Sequence, residues 1–333
     1  MPAPKTIQLL LPPAPETVPL PAERLQEIAA PPGPEGQGAA WIGGGLVFLS
    51  AVGFSAKAIL IKLCYRHGVD AETLLALRMG LSLPFFLLGL LLAGRDQPPL
   101  TARDRLAVIA LGLLGFYLAA YLDFLGLQYI SAALERLILF LYPTLVVVFS
   151  FVLFRRPIGR WEALALVLGY VGIALVAGKE AAGQQAHHQG DVLLGGALVL
   201  GSTLAFAFYL IGSGRAIARL GANRFTGLAM SVASLACLAQ FAVGHPPEEA
   251  LRLPPEIYAM GAIMAVFSTI LPSYLLSLGI HRLGSSRASL VSSIGPVATI
   301  GLAYIFLDEV LSPAQALGAT LVVAGALLAG TRP

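Results

Sequence analysis

Charged residues are scarce in this chain: Asp, Glu, Lys and Arg together make up only 12% of its 333 residues. A soluble domain carries about 25% charged residues, so this composition leaves too few of them to cover a water-facing surface. Cysteine is scarce as well, and Cys64 and Cys237 have neither metal-ligand spacing nor a disulfide framework. The composition therefore argues against a soluble globular domain, and we expect both cysteines to be packing residues.

Motifs for catalysis and nucleotide binding are also missing. No phosphate-binding motif follows the glycines at 43–45, and His187 and His188 have no companion ligands nearby. We therefore expect no enzyme activity, no cofactor and no metal. The net charge of +3 is too small to indicate a nucleic-acid partner, and the short alternating segments of a membrane β-barrel do not occur.

Long apolar segments are what the chain has in abundance. Its hydrophobic content is 57% and its mean hydropathy is +0.81. A bilayer core about 30 Å thick is spanned by roughly 20 apolar residues in helical form. The sequence therefore predicts an all-α polytopic membrane protein with ten transmembrane helices. The predicted spans are residues 40–63, 71–93, 105–127, 131–154, 161–178, 192–213, 223–243, 257–280, 285–307 and 313–330.

Basic residues indicate how the spans are oriented. Of the 21 Lys and Arg residues, 14 fall on the side of the N-terminus, five fall on the opposite side, and Lys57 and Arg78 lie within spans. Because Lys and Arg favour cytoplasmic loops, we expect an inner-membrane protein with both termini cytoplasmic. Residues 1–38 hold ten of the 23 prolines, which argues against a signal peptide and predicts a disordered cytoplasmic tail.

The two halves of the chain overlay at a constant offset of 153 residues. Gly68 falls on Gly221, and Pro143 falls on Pro296. Each half carries five predicted spans, and because five is odd the second half must enter the membrane with the opposite orientation. Inverted repeats are typical of secondary transporters, whose substrate sites lie near the membrane midplane between the halves. The predicted repeats are residues 39–180 and 190–331.

Three stretches make the sequence similar to a known family. They are "LLALRMGLSLPFF", "LDFLGLQYISAALERLILFLYPTLVVVFSFVLF" and "LLSLGIHRLGSSRASLVSSIGPVATIGLAYIFLDEVLSPAQALGATLVVAGALLAG". The chain resembles the drug/metabolite transporter superfamily, in its ten-helix EamA-type branch, over about residues 40–330. The resemblance implies export of small organic metabolites, with the first four helices of each half around the pathway. Glu309 fits the acidic residue that the family often has after its fourth helix, but the first half has Arg155 and Arg156 there.

Glu135 and Arg136 stand at the start of the apolar segment "ALERLILFLYPTLVVVFSFVLF". On insertion scales a central Lys, Arg or Asp costs about 2.5–3.5 kcal/mol, so such charges should face a cavity or a partner. Glu135 is a candidate site for a proton or a cationic solute, and Arg136 is a candidate clamp for a carboxylate. The alternative is that both snorkel to the outer interface or pair with other spans.

Three more charged side chains fall inside predicted spans. Asp123 could carry a proton, or pair with Arg136 across the third and fourth spans. Lys57 and Arg78 could each bind an anionic group. In the alternative interpretation Lys57 snorkels outward and Arg78 holds helix ends together.

Neutral polar groups complete the predicted pathway. Two spans carry hydroxyls along one face: Thr269, Ser273 and Ser277 on the eighth, and Ser286, Ser289 and Ser293 on the ninth. These hydroxyls line a wetted pathway or bind a neighbouring helix. The tyrosines that could stack on an organic solute, although tyrosine is also common at interfaces, are Tyr117, Tyr121, Tyr142, Tyr209 and Tyr274.

Prolines and glycines mark the expected hinges and packing helices. Pro143 and Pro296 each remove a backbone hydrogen bond, and we predict that both act as hinges beside the pathway. The fifth and tenth spans carry glycines, which allow close helix approach, and we assign these two spans to packing, with a homodimer contact as an option. The glycines are Gly169, Gly172, Gly318 and Gly325.

Together these features predict a secondary transporter that exports a small organic metabolite, amino acid-like or drug-like, by alternating access between its halves. Proton coupling through Glu135 or Asp123 is an open option. The alternatives are an uncoupled facilitator or importer and, from a different class, a non-transporting membrane scaffold or sensor. The expected partners are a small-molecule substrate, the lipid bilayer and, at the packing helices, a second copy of the chain.

Overall fold

The computed structural model describes residues 34–92, 99–154, 159–183, 189–246, 252–275, 294–309 and 312–330, with the single positions 248 and 291. The chain divides into a unit of residues 1–41 and a unit of residues 42–333. The first helix begins at Pro34, inside the stretch predicted as a tail, where proline is tolerated because it lies in the first helical turn. The rest of the predicted tail lies outside the described residues.

The described residues are helical, and no strand occurs among them. The first half contains α1 Pro34–Arg66, α2 Ala71–Leu92, α3 Ala102–Gly112, the π-helical segment π1 Leu113–Leu118, α4 Ala119–Gly126, α5 Ala132–Leu139, α6 Tyr142–Phe154 and α7 Arg160–Gly183. The second half contains α8 Gln189–Leu220, α9 Ala222–Gly244, α10 Pro255–Ala265, π2 Val266–Ile270, α11 Gly295–Leu307 and α12 Pro313–Gly330. Residues 271–275 continue π2 as α-helix.

Seven helical runs among the described residues are long and apolar enough to cross a membrane. They are Trp41–Arg66, Ala71–Leu91, Ala102–Gly126, Arg160–Ala182, Asp191–Ser213, Asn223–Gly244 and Pro255–Leu275. The prediction of an all-α polytopic membrane protein is therefore confirmed. The other predicted spans overlap shorter helices, namely α5, α6, α11 and α12, so the number ten stays a prediction.

The predicted fourth span, residues 131–154, is interrupted. It forms two helices, with α5 ending at Leu139 and α6 beginning at Tyr142. Pro143 has no N–H with which to bond the carbonyl of Leu139, so a single continuous helix loses a hydrogen bond at this point. The expectation of one bent helix is corrected to two short helices joined at Phe140 and Leu141.

Backbone features recur at the offset of 153 residues. π1 begins at Leu113 and π2 at Val266, and α11 begins with Pro296 in its first turn, as α6 does with Pro143. Gly68 and Gly221 both have left-handed backbones, with φ of +78° and +79°, a conformation that glycine adopts without a steric penalty. The two halves therefore share turns and helix interruptions as well as sequence matches.

The predicted packing helices contact each other inside one chain. α7 packs along α12, and a Cβ atom added to Gly172 would lie 2.5 Å from the carbonyl oxygen of Gly318. A Cβ atom on Gly325 would likewise lie 2.7 Å from the Ala165 carbonyl oxygen. Gly172, Gly318 and Gly325 therefore allow α7 and α12 to approach closely within one chain. The fourth predicted packing glycine, Gly169, faces the Leu141 side chain.

Candidate functional site

Three helices of the first half bring charged side chains together in the interior. Lys57 of α1 forms an ion pair with Asp123 of α4, and its Nζ lies 3.3 Å from Oε1 of Glu135 in α5. The Glu135 side chain is 0% exposed, Asp123 is 4% exposed and Lys57 is 16% exposed. We call Lys57, Asp123 and Glu135 the central ion cluster. Its geometry contradicts snorkelling of Lys57 or Glu135 to an interface.

Hydrogen bonds to backbone carbonyls hold the helices of this cluster in place. The Tyr65 hydroxyl donates to the carbonyl of Phe124 at 2.6 Å, which joins α1 to α4 beside Asp123. The Ser55 hydroxyl lies 2.7 Å from the carbonyl oxygen of Ala51 and 2.9 Å from that of Gly295, and the second contact brings α1 against α11 of the second half. The central ion cluster therefore lies where elements of both halves meet.

Arg136 lies beside the cluster without pairing with Asp123. Among the described residues the ion-pair partner of Asp123 is Lys57, so the expected Asp123–Arg136 pair is wrong. The Arg136 guanidinium instead lies against the backbone of Gly295, where an added Cβ atom would be 2.9 Å from Nη2. Glycine at 295 thus leaves the room that the guanidinium occupies between α5 and α11.

Arg78 of α2 contacts the side chain of Phe124, the residue that follows Asp123. Its guanidinium carbon lies 4.8 Å from the centre of the Phe124 ring, a distance typical of a cation–π contact. Arg78 is 6% exposed and therefore buried. The structure places it against an aromatic face in the interior, and not at helix ends as one interpretation expected.

Several charged atoms in this region have no hydrogen-bond partner among the described residues. They are Nε of Arg78, Oδ1 of Asp123, Nε of Arg136 and both carboxylate oxygens of Glu135. An unpartnered buried charge is costly, and removing one partner of a buried pair costs about 3–5 kcal/mol. An unsatisfied buried polar atom calls for an explanation, of which a functional role is one, and here the open atoms include both donors and acceptors.

A second polar network, which sequence reasoning missed, links α2, α4 and α9. The Tyr121 hydroxyl donates to Oε1 of Glu72 at 2.8 Å, and the Gln240 amide donates to the same oxygen at 3.1 Å. The Tyr117 hydroxyl donates to Oε1 of Gln240 at 2.8 Å. His245 lies 3.6 Å from the Glu72 carboxylate. Tyr117 and Tyr121, predicted to stack on a solute, therefore have protein partners for their hydroxyls.

The amino-terminal end of α5, the helix that carries Glu135, receives two carboxylates. Glu180 accepts hydrogen bonds from the amide and the hydroxyl of Ser131, both at 2.7 Å. Glu309 accepts from the Ala132 amide at 3.4 Å. Carboxylates are stabilising at this end of a helix. The structure thus gives Glu309, which matched the family pattern, a partner in the other half.

Three predicted tyrosines form no hydrogen bond with the described residues of the central ion cluster. Tyr142 packs against Phe140 and Phe206, with ring centres 6.2 and 5.8 Å apart. Tyr209 is buried among phenylalanines and packs 4.8 Å from Phe116. Tyr274 is 42% exposed. The structure therefore does not bring these three rings together with Lys57, Asp123 and Glu135.

The predicted hydroxyl faces are only partly described. Thr269 donates to the carbonyl of Met264 at 3.3 Å, and Ser273 donates to that of Thr269 at 2.6 Å. Both hydroxyls therefore bond their own helix, and not a neighbouring one as the alternative expected. Pro296 is buried in the first turn of α11. The predicted pathway residues Ser277, Ser289 and Ser293, and Ser286 with them, lie outside the described residues.

Metal binding finds no support in the described part of the chain, where no group of three or more His, Cys, Asp or Glu side chains is arranged to hold an ion. The charged side chains of the central ion cluster instead pair with one another. What this arrangement offers chemically is a set of proton and hydrogen-bond sites.

Comparison with known proteins defines the class. Two stretches of the chain, residues 41–178 and 193–331, each match the EamA-like transporter family. The chain therefore belongs to the EamA-like transporter family and is a membrane transporter, and the predicted resemblance is confirmed. The family matches the chain twice, once in each half.

Relatives with curated names agree with this class. The chain is 30% identical over 281 residues to the uncharacterized transporter YcbK of Bacillus subtilis, covering 82% of this chain and 88% of that protein. It is 23% identical over 263 residues to the uncharacterized transporter YyaM of the same organism, covering 76% and 82%. A crystal structure of another protein aligns with a TM-score of 0.55 at 19% identity, covering 84% of this chain and 96% of that chain, which shows likeness of fold.

Proposed function

We propose that the protein is a secondary transporter that exports a small organic metabolite, amino acid-like or drug-like, across the inner membrane by alternating access. In this proposal ten membrane helices form two inverted five-helix repeats, and export is coupled to proton entry through Glu135 or Asp123. The observation that carries the proposal is the central ion cluster, a buried group of ionisable side chains at the junction of both halves.

The pairing of helices supports a two-fold arrangement of the repeats. α2 packs against α9, and α7 packs against α12; each of these pairs joins elements that correspond at the offset of 153 residues. α5 packs against α11, which belong to the predicted fourth and ninth spans. Contacts between equivalent elements are what a pseudo-two-fold axis between the halves requires.

Close contacts between α1 and the eighth span complete this pattern. The Ser50 hydroxyl donates to the carbonyl of Pro272 at 2.8 Å, and a Cβ atom on Gly53 would lie 2.6 Å from the Phe267 carbonyl oxygen. α4 contacts α8. At the offset of 153 residues α8 corresponds to α1, and the third span, which contains α4, corresponds to the eighth span, so the same contact occurs with the two halves exchanged. Sliding or rocking of one half against the other would therefore change the surroundings of the central ion cluster.

The central ion cluster has no charged counterpart in the second half. At the offset of 153 residues, Lys57 corresponds to Leu210, Asp123 to Leu276 and Glu135 to Ala288. In the proposed mechanism a proton neutralises Glu135 or Asp123, which weakens the attraction to Lys57 between α1, α4 and α5. Deprotonation restores the ion pairs. The residues that bind and release the proton all belong to the first half, and the second half provides the surface against which the first half moves.

The experiment is solute flux in proteoliposomes that contain the purified full-length protein. A thermal-shift screen of amino acids and related metabolites first selects the solute, and its flux is then measured with and without a pH gradient. We expect the gradient to accelerate flux several-fold in the wild type. In Glu135→Gln we expect exchange of solute down its own gradient to persist and the response to pH to be lost.

Glu248→Gln is the matched control, since Glu248 is an exposed carboxylate paired with Arg252 at 2.7 Å. This variant should behave as the wild type does. Equal flux with and without the pH gradient in the wild type would remove proton coupling and leave an uncoupled facilitator. If no bound metabolite showed saturable flux at all, the scaffold or sensor interpretation would replace transport.

A further inference from the structure

A cavity opens beside the central ion cluster at the end of α1. It has a volume of about 340 Å³ and is lined by Lys62, Tyr65, Arg66, Gln128, Leu307 and Glu309. Sites that hold small molecules have volumes of roughly 300–1,000 Å³, so this cavity fits a ligand of the smallest class. Five of its six lining residues carry a polar side-chain group, in contrast to the apolar helices around it.

Two opposite charges face this cavity without pairing with each other. Within the described part of the chain, Lys62 takes part in no hydrogen bond and no ion pair, although Glu309 is among its electrostatic neighbours. Oε2 of Glu309 is buried and has no hydrogen-bond partner there. An ammonium and a carboxylate oxygen held apart across one cavity could both be satisfied by a solute that carries the two complementary charges.

The lining adds positive charge on the side of Lys62. Arg66 follows Lys62 by one helical turn, and its Nη2 donates to the carbonyl of Leu307 at 2.7 Å. This bond holds the guanidinium at the cavity and leaves its other N–H groups as donors, since guanidinium has five. Two cations on α1 therefore oppose one carboxylate on the segment after α11.

We propose that this cavity is a binding site for a small zwitterion of the size of an amino acid. The ligand carboxylate would lie at Lys62 and Arg66, and the ligand ammonium would lie at Oε2 of Glu309. The proposal goes beyond the transport function above, because binding here needs neither proton coupling nor a direction of transport.

The cavity and the central ion cluster are neighbours on the same helix. Lys62 follows Lys57 by five residues, which is about 7.5 Å along a helix axis. Tyr65 lines the cavity and also bonds the backbone next to Asp123. A zwitterion in the cavity would therefore lie close to the central ion cluster along α1. Binding of the ligand could then change the geometry of the cluster, and a change in the cluster could alter ligand binding.

The test measures binding of three matched probes to the full-length protein in lipid nanodiscs by thermal shift and calorimetry. L-leucine carries both charges, leucinamide lacks the carboxylate, and 4-methylpentanoate lacks the ammonium. A hydrogen bond to a charged group contributes about 1.5–3 kcal/mol, so we expect leucine to bind at least about tenfold more tightly than either analogue.

Two variants should change this preference in opposite ways. Lys62→Gln should reduce the advantage of leucine over leucinamide, since Arg66 still faces the ligand carboxylate, and Glu309→Gln should abolish its advantage over 4-methylpentanoate. The glutamine at 309 keeps an oxygen that can accept from the Ala132 amide, so the end of α5 stays bonded. Arg252→Gln and Glu248→Gln, which change an exposed ion pair, serve as controls and should bind all three probes as the wild type does.

Four results would overturn the proposal. Three are the absence of saturable leucine binding to the wild type, equal binding of all three probes, and an equal loss of all three probes in both variants, which would indicate a structural effect only. The fourth is leucine binding that survives Lys62→Gln and Glu309→Gln but is lost in Glu135→Gln, which would move the site to the central ion cluster. If leucine bound as expected but solute flux did not depend on the pH gradient, proton coupling would be ruled out and the binding site proposed here would stand.

Discussion

The Lys57 ammonium lies between two buried carboxylates, paired with Asp123 and 3.3 Å from Glu135. One ammonium thus faces two carboxyl groups contributed by different helices. Since Glu135 is fully buried, the arrangement depends on Lys57 more than on either acid. Removing the lysine leaves two buried carboxyl groups without the ammonium that lies between them, whereas removing one acid still leaves an ion pair.

Lys57→Gln should therefore destabilise the protein more than Asp123→Asn does. Breaking a buried pair by removing one partner costs about 3–5 kcal/mol, and like charges at short range add to this. We expect a clear fall in the thermal midpoint in nanodiscs for Lys57→Gln, and partial recovery in the double variant with Asp123→Asn. Lys179→Gln, at an exposed position of α7, is the control. An unchanged midpoint for Lys57→Gln would contradict the ion cluster.

Gly172→Ala tests the packing of α7 against α12. The added methyl group would lie 2.5 Å from the carbonyl oxygen of Gly318, and a backbone atom of a packed helix cannot move aside easily. Overpacking of this kind costs about 1–3 kcal/mol, so the thermal midpoint should fall. Gly178→Ala lies on the same helix with open space around it, and it should be neutral or slightly stabilising because alanine favours helix over glycine. Equal midpoints for the two variants would contradict the observed contact.

The approximate extents of the long apolar helices and the positions of the proline breaks could be predicted from the sequence, because both depend on local features. Apolar runs set helix length, prolines remove hydrogen bonds, and glycines permit left-handed turns such as those at Gly68 and Gly221. The partners of the buried charges could not be predicted. Glu309 reaches the amide of Ala132 across 177 residues, and nothing local in either segment indicates that contact.

The position of Asp123 shows a second limit of sequence reasoning. An α-helical period places Asp123 on the same face as Phe116, Ala119 and Ala120. π1 intervenes at Leu113–Leu118, and a π-helical turn adds a residue to the helical repeat, which rotates the faces before and after it. In the structure Phe116 packs on Tyr209 while Asp123 pairs with Lys57. The π segment leaves no clear mark in the sequence, so the interruption that begins at Leu113 could not be predicted.

Gly295→Ala tests the place of Arg136 in the site. A Cβ atom at Gly295 would lie 2.9 Å from Nη2 of Arg136, so the flexible guanidinium must shift by a few tenths of an ångström while the backbone stays in place. We expect near-normal thermal stability and a several-fold loss of solute flux in proteoliposomes. Gly301→Ala, on the same helix with nothing within 4 Å, is the matched control and should retain full flux. Equal flux in the two variants would remove Arg136 from the pathway.

The pH dependence of protein stability should reveal the buried position of the Glu309 carboxyl group. Burial raises the pKa of Glu309, and the Ala132 amide and the Lys62 charge offset this only in part. In the unfolded chain a glutamate has a pKa of about 4.3. Between that pH and the raised pKa of Glu309, the folded protein therefore binds more protons than the unfolded chain. Stability therefore falls as the pH rises through this window.

Glu309→Gln cannot lose a proton at this position, so its stability relative to the wild type should increase as the pH rises through the same window. Thermal midpoints of both proteins in nanodiscs, measured from acidic to neutral pH, give this difference directly. Glu248→Gln controls for loss of an exposed carboxylate and should follow the wild-type curve at these pH values. A difference between Glu309→Gln and the wild type that stayed constant with pH, or decreased as the pH rose, would mean that Glu309 is not held in a buried, protonation-favouring position.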